Sequence, residues 1–191
     1  MSDIPFSIRP NGISANDVAE TYLTIASATA TYEPIQPAKV NLSARKTSNT
    51  TITVYNQKTD IIGYTIDVES NTGSLNTSTG IFTAPRSGLY KVETQITFKD
   101  YEGERLFTMD NFIDYKALGG GWVVYKIAIL STSDKLLDAY TLQNSSIIYL
   151  NINDQIKVAG AARAGGTLAW TILAQVGSWI RATTLNIYSI D

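Results

Sequence analysis

Gly80-Ile-Phe-Thr-Ala-Pro-Arg-Ser-Gly-Leu-Tyr-Lys-Val92 is the stretch on which the fold turns. Ile81, Phe82 and Thr83 make a short β pattern. Pro85 lacks the N–H that a ladder needs, so strand pairing is interrupted there. Ser87-Gly88 is a turn signal, because glycine takes positive φ without steric cost. Leu89 to Phe98 is rich in β-branched and aromatic residues. Within it Tyr90, Val92, Ile96 and Phe98 fall on one face at period two, with Thr94 interrupting the row. A long strand therefore leaves this corner with one apolar face.

Reading outward, Val40 to Ala44 alternates and suits a first strand. Thr50 to Tyr55 reads as a second strand and Ile61 to Val68 as a third. Ser70 to Gly80 is polar and turn-rich, a loop leading into the corner. Lys99 to Arg105 reads as a charged loop. Asn111 to Trp122 holds Gly119-Gly120-Gly121, a flexible connection or a close backbone approach. Trp122 to Leu130 is so apolar that burial on both faces is expected. Ser145 to Ile152, a turn at Asn153-Asp154-Gln155, and Ile156 to Val158 follow. Leu168 to Val176 is another strand. In the final segment Leu185, Ile187 and Ser189 share one face. Short strands at this spacing predict an all-β fold, a two-sheet antiparallel jelly roll over residues 39–191.

Residues 1–38 differ in kind. They hold four of the five prolines, Pro5, Pro10, Pro34 and Pro37. Ser2 to Gly12 has neither helical nor strand period and reads as an extended arm. Thr21-Tyr22 and Thr31-Tyr32 then repeat around the small-residue run Ala26-Ser27-Ala28-Thr29-Ala30. Tyr22, Leu23, Ile25, Tyr32 and Ile35 are the large residues flanking this run, and in a fibre-like neck they would fill the gaps between chains that the small residues let approach closely. Asn16-Asp17 suits the cap of a short helix running to Leu23.

Two resemblances follow from these residues. Gly80, Phe82, Pro85, Gly88 and Tyr90, as G-x-F-x-x-P-x-x-G-x-Y, resemble the early strand pair of the complement C1q/tumour-necrosis-factor jelly rolls. Val40 to Lys46 is similar to the first strand of that family. Leu150, Asn153, Asp154 and Ile156 are similar to its L-x-x-G-D-x-V turn, with asparagine in place of glycine. Asparagine tolerates left-handed backbone, so the departure is mild. Leu185, Tyr188 and Ile190 fit the family's last core strand loosely; its Phe and Gly are missing. The resemblance implies a trimer of compact heads. Separately, Thr21 to Ile35 resembles the T-Y-L-x-x-x-x-A-x-x-T-Y-x-P-I repeats in phage and large-virus fibre shafts and necks. The resulting division is an anchoring arm and fibre-like neck over 1–38 and a jelly-roll head over 39–191.

Composition narrows the chemistry. The 191 residues carry 15 Lys and Arg against 17 Asp and Glu, a net charge of −2, which predicts no general attraction to nucleic acid or anionic membrane. Histidine and cysteine are both absent, which excludes Ser-His and Cys-His catalysis, disulfides and thiolate metal sites. No cofactor fingerprint or calcium loop appears, so neither a cofactor nor a metal ligand is assigned. Glu102 and Glu104, with Asp110 and Asp114 nearby, are the paired-carboxylate candidates; a solvated loop is the plainer reading. The start lacks the basic and apolar regions of a secretory signal, so synthesis in the host cytoplasm is expected.

Three tryptophans take separate readings. Trp122 and Trp170 read as core, with a trimer seam also open to Trp170. Trp179, after Gly177-Ser178, reads either as structural or as an exposed aromatic that contacts a surface ligand. The expectation assembled from all this is not an enzyme. It is a virion protein: a homotrimeric fibre or spike held to capsid or tail by its N-terminal arm. Its head contacts a host-surface glycan or protein, or decorates the capsid. The alternatives are a non-viral carbohydrate-binding or signalling module of the same fold, and a polysaccharide depolymerase subunit.

Overall fold

The apolar row from Tyr90 to Phe98 becomes the middle of a 13-residue strand, Gly88–Asp100. A computed structural model describes residues 39–52, 57–100, 106–131, 139–164, 170–176, 180–181 and 183–190. In chain order the strands are β1 Asn41–Lys46, β2 Thr50–Ile52, β3 Thr59–Asp60, β4 Tyr64–Glu69, β5 Leu75–Asn76, β6 Ile81–Thr83, β7 Gly88–Asp100, β8 Leu106–Lys116, β9 Val123–Ser131, β10 Ala139–Leu150, β11 Gln155–Ala164, β12 Trp170–Ile172, β13 Gln175–Val176, β14 Ile180–Arg181 and β15 Thr184–Ser189. There is no helix among the described residues.

These strands form two main sheets and one small hairpin, all antiparallel. The first sheet has seven strands. It runs β10-β7-β15-β1-β4, and β12 with β2 continues from the far end of β7. The second has six, in the order β5-β6-β11-β8-β9 with β3 also on β11. From β6 to β12 the chain passes repeatedly between the sheets, the winding of a jelly roll.

Alternation along each strand decides what is inside. Leu42 and Ala44 of β1, Tyr90, Val92, Ile96 and Phe98 of β7, and Leu185 and Ile187 of β15 face inward from the first sheet. Phe82, Met109, Ile113, Ile156, Val158 and Ala162 face them from the second. Thr94, the polar break in the row, is buried with them. Its hydroxyl donates to Asn111 Oδ1 at 3.0 Å, and Asn111 Nδ2 donates to the Leu142 carbonyl at 3.0 Å. Asn144 Nδ2 donates to the Asn111 carbonyl at 2.9 Å, so this polar layer ties β7, β8 and β10 together. Trp170 is fully buried 5.4 Å from the Phe98 ring.

The corner is built by three neighbours. Gly80 has φ +69°, and a Cβ there would lie 2.1 Å from the Ile61 carbonyl oxygen, so only glycine fits. Phe82 meets Tyr90 edge-on, with centroids 5.9 Å apart. Tyr90 OH donates to the Arg86 carbonyl at 2.8 Å, holding the turn around Pro85. The Asn153-Asp154 turn docks here, since Ala84 N donates to the Asp154 carbonyl and Asn153 N to the Ala84 carbonyl. Asn153 has φ +70°, the left-handed geometry expected of it. The buried Asp154 carboxylate accepts from Asn151 N at 2.9 Å, Tyr115 OH at 2.9 Å and Leu118 N at 3.0 Å. Burial alone raises a carboxyl pKa. Here those hydrogen bonds outweigh it and hold Asp154 below its ordinary value.

Several sequence expectations are corrected. The strand expected over Ile61 to Val68 begins only at Tyr64, as β4 on β1, and β3 just before it pairs with β11 in the other sheet. Gly63, at φ +73°, lies where the chain crosses between sheets. The Ser70 to Gly80 loop contains β5, paired with β6. The first half of the Asn111 to Trp122 connection is the end of β8. The expected strand from Leu168 to Val176 is broken, since Leu173 and Ala174 separate β12 from β13. The apolar run from Trp122 is not buried on both faces. It becomes β9, which among the described residues pairs only with β8 and forms the sheet edge. Tyr188 and Ile190 point outward, because Leu185, Ile187 and Ser189 take the inward positions.

Candidate functional site

The outward face of the first sheet is laid out by register. Tyr149 pairs with Leu89, and Ile147 pairs with Lys91, which pairs in turn with Tyr188. Ile190 N donates to the Leu89 carbonyl at 3.0 Å, which brings Ile190 to the same end. Leu89, Ile147, Tyr149 and Ile190 are all exposed, so this end of the face is apolar. Further along, Glu93, Gln95, Gln143, Ser145, Thr184 and Asn186 line a shallow polar depression of about 220 Å³. Gln143 Nε2 donates to Gln95 Oε1 at 3.2 Å across it.

The edge beside this face is more unusual. Val123, Val124, Tyr125, Ile127 and Ile129 of β9 are all exposed, Ile129 at 61%. Tyr125 OH donates to the Ile147 carbonyl at 3.0 Å, so β9 lies along β10 where the two sheets meet. Ile147 and Tyr149 extend the patch onto β10. A long apolar edge strand with an unpaired side is a surface that natural proteins cover.

A different surface lies on the outward side of the second sheet. Gln57, Lys58, Thr59, Asp60, Asp114, Trp122 and Lys157 line an open groove of about 640 Å³. Lys58 Nζ lies 2.6 Å from Asp114 Oδ1, and Lys157 Nζ lies 2.7 Å from Asp60 Oδ2. Lys157 Nζ also sits 4.7 Å from the Trp122 ring centre, and Lys116 Nζ sits 5.9 Å from it. Asp114 is buried at the floor, with its side chain 2% exposed.

The architecture has clear counterparts among solved structures. Murine APRIL at pH 5.0 superposes with a TM-score of 0.58 at 16% identity, covering 80% of this chain and 99% of that one. Eiger TNF from S. frugiperda gives 0.58 at 11% identity, covering 80% and 93%. The globular domain of zebrafish complement 1qA protein gives 0.52 at 10%, covering 80% and 98%. The fold is a tumour-necrosis-factor/C1q-like jelly roll. No family model matches the sequence, and no curated protein matches it.

Within this tumour-necrosis-factor-like jelly roll, the residues singled out by sequence fall in different places. Gly80, Phe82 and Tyr90 are buried together at the corner, with Pro85 exposed between them and Gly88 opening β7. Tyr22, Leu23, Ile25, Tyr32 and Ile35 lie outside the described residues, as do Trp179, Glu102 and Glu104. Trp122 is not core; it is half-exposed beside the groove. Asp110 and Asp114 are not in a solvated loop but on β8, where Asp114 is salt-bridged to Lys58. No group of three or more acidic residues among the described residues could hold a metal ion. Neither the exposed edge nor the groove was anticipated. The density of Val, Ile and Tyr after Trp122 was a signal for the edge. The groove is assembled from four separate segments and had none.

Proposed function

We propose that this chain is the head and neck of a homotrimeric virion fibre or spike, a non-enzymatic attachment or capsid-decoration protein. The observation that carries the assembly is the exposed apolar edge of β9 with Ile147 and Tyr149 on β10. An edge of this kind is complementary to the apolar end of the outward face, at the exposed Leu89 and Ile190 with the partly buried Tyr188 between them. Edge packed on face is a heterologous contact, which closes into a ring when the rotation between neighbours divides a full turn, and a third of a turn gives a trimer. Three copies meet the resemblance that the corner motif carries.

The viral assignment rests on the fibre-like repeat from Thr21 to Ile35, followed directly by the head. Residues 1–20 serve as the anchor to capsid or tail, residues 21–38 as the neck. A trimer presents each binding surface three times, and many trimers on one particle raise avidity without new contacts.

The test has two parts. Sedimentation of the full chain gives three times the 20.8 kDa chain mass on this reading. Antibody-gold labelling of purified virions from a host that expresses the protein places it on projecting fibres. A monomer at all concentrations removes the trimeric head. A trimer missing from the particles leaves the signalling or carbohydrate-binding module as the better reading.

A further inference from the structure

We propose that the groove beside Trp122 is a saccharide-binding site for a neutral pyranose. Its occupant would be a terminal sugar of a glycan. The proposal deepens the attachment role and rests on that reading for its biological setting, though not for its chemistry.

The argument starts from what the walls offer. Lys58 is held against Asp114 at 2.6 Å, and Lys157 against Asp60 at 2.7 Å. Lys157 and Asp60 put a donor and an acceptor side by side, while the buried Asp114 orients Lys58 as a donor. A sugar hydroxyl is both donor and acceptor, so one hydroxyl matches the Lys157–Asp60 pair and a second on the same ring accepts from Lys58. Gln57 and Thr59 add neutral donors and acceptors to the same wall. An anion would compete with Asp60 and Asp114 for the same ammonium groups. A cation would compete with Lys58 and Lys157. The mixed lining therefore favours a neutral polyhydroxylated ligand over either ion.

Trp122 supplies the apolar part. Pyranose rings carry C–H groups on one face, and a half-exposed indole gives them a flat surface to cover. A cation–π contact helps to orient the ring: Lys157 Nζ lies 4.7 Å from its centre, and Lys157 is itself held by Asp60. The tryptophan ends the connection from Ala117, where Gly119 takes φ +77°. No atom would crowd a Cβ at Gly119 or Gly121. The volume of about 640 Å³ accommodates a monosaccharide with room for the next residue of a glycan.

The site does not overlap the apolar edge. It is lined by the Gln57 to Ile62 segment, by Asp114 on β8, by Trp122 and by Lys157 on β11. It is open in a monomer and available three times in a trimer.

The experiment uses the full chain labelled with 5-fluorotryptophan. Fluorine spectra are recorded during titration with methyl α-glucopyranoside, methyl β-galactopyranoside, methyl α-mannopyranoside, N-acetylglucosamine and N-acetylneuraminic acid. Trp122→Phe assigns the Trp122 signal. The expected result is a saturable shift of that signal with at least one neutral sugar, at a Kd near or below about 1 mM. The buried Trp170 signal stays unmoved. Asp60→Asn and Lys157→Met weaken binding at least tenfold while the chain keeps its melting temperature and its mass. Asp60 is 43% exposed and Lys157 15%, and neither belongs to the apolar core, so these variants keep the proposal testable if replacing Trp122 impairs folding. No shift with any neutral sugar, shifts only with the acidic sugar, or binding unchanged in both variants overturns it. A sugar-binding monomer would retain the groove and remove the trimeric head; a trimer blind to sugars would do the reverse.

Discussion

At the residue scale, two buried side chains make opposite predictions. Asp154 gathers donors from Asn151, Leu118 and Tyr115 and thereby ties the turn after β10 to the end of β8. Asn in its place has one acceptor oxygen and an amide aimed at N–H groups. Asp154→Asn should cost about 2–3 kcal/mol, read by urea denaturation at pH 7. The pH dependence has a fixed sign. The folded pKa of Asp154 lies below its unfolded value, so in acid the unfolded chain binds the proton first. The contribution is fully present above the unfolded pKa of about 3.9 and is lost as pH falls through the folded value. The gap between wild type and Asp154→Asn should therefore narrow in that acid window. A gap that stays constant down to pH 2 would remove the charged carboxylate as its cause. Tyr64 is the converse case. Its hydroxyl is buried, has no hydrogen-bond partner among the described residues, and is kept neutral because burial raises its pKa. Tyr64→Phe keeps the ring that packs over Gly80 and removes the orphan hydroxyl. Stability should be unchanged or up to about 1 kcal/mol higher. A loss greater than about 1 kcal/mol would mean that the hydroxyl has a partner after all.

At the element scale, β9 shows what a sequence can and cannot convey. The corner from Gly80 to Tyr90 was legible because its constraints are local: a glycine, a proline, a second glycine and two aromatics within eleven residues. The Asn153-Asp154 turn was legible for the same reason. The inward row of β7 was also legible, because period two survives one threonine. The apolar run that forms β9 was misread as doubly buried, since a central strand and an edge strand of an oligomer can share one composition. What separates them is a neighbour. Among the described residues β8 is the only strand hydrogen-bonded to β9. Trp122 was misread with it, and the Lys58–Asp114 and Lys157–Asp60 pairs join residues 56 and 97 positions apart, beyond any local pattern. The edge carries a direct prediction. Ile127→Lys with Ile129→Lys places two charges on exposed positions of β9. On the assembly proposed above, the double variant should sediment as a folded monomer with an unchanged far-UV spectrum. A trimer that tolerates both lysines would show that this edge is not the seam.

At the scale of the whole molecule, the question is where assembly is encoded. The head carries an apolar edge and an apolar patch of its own. The sequence from Thr21 to Ile35 carries a repeat whose small residues suit close packing of chains. These two sources predict different behaviour when residues 1–38 are removed. If the head contains the main seam, residues 39–191 remain trimeric, and their melting temperature rises with protein concentration because association stabilises the folded state by mass action. The polar depression at Glu93, Gln95, Gln143 and Asn186 adjoins that apolar patch, so burial of the face would also trap water or pair those groups across the seam. We expect the shortened chain to be trimeric at micromolar concentration. The neck should then act through proximity alone, lowering the concentration at which trimers form without changing the head's contacts. Sedimentation equilibrium of both lengths over a hundredfold concentration range decides it. A concentration-independent monomer for residues 39–191, beside a trimer for the full chain, would move the assembly code to the neck. It would also leave the apolar edge to be explained by a different partner.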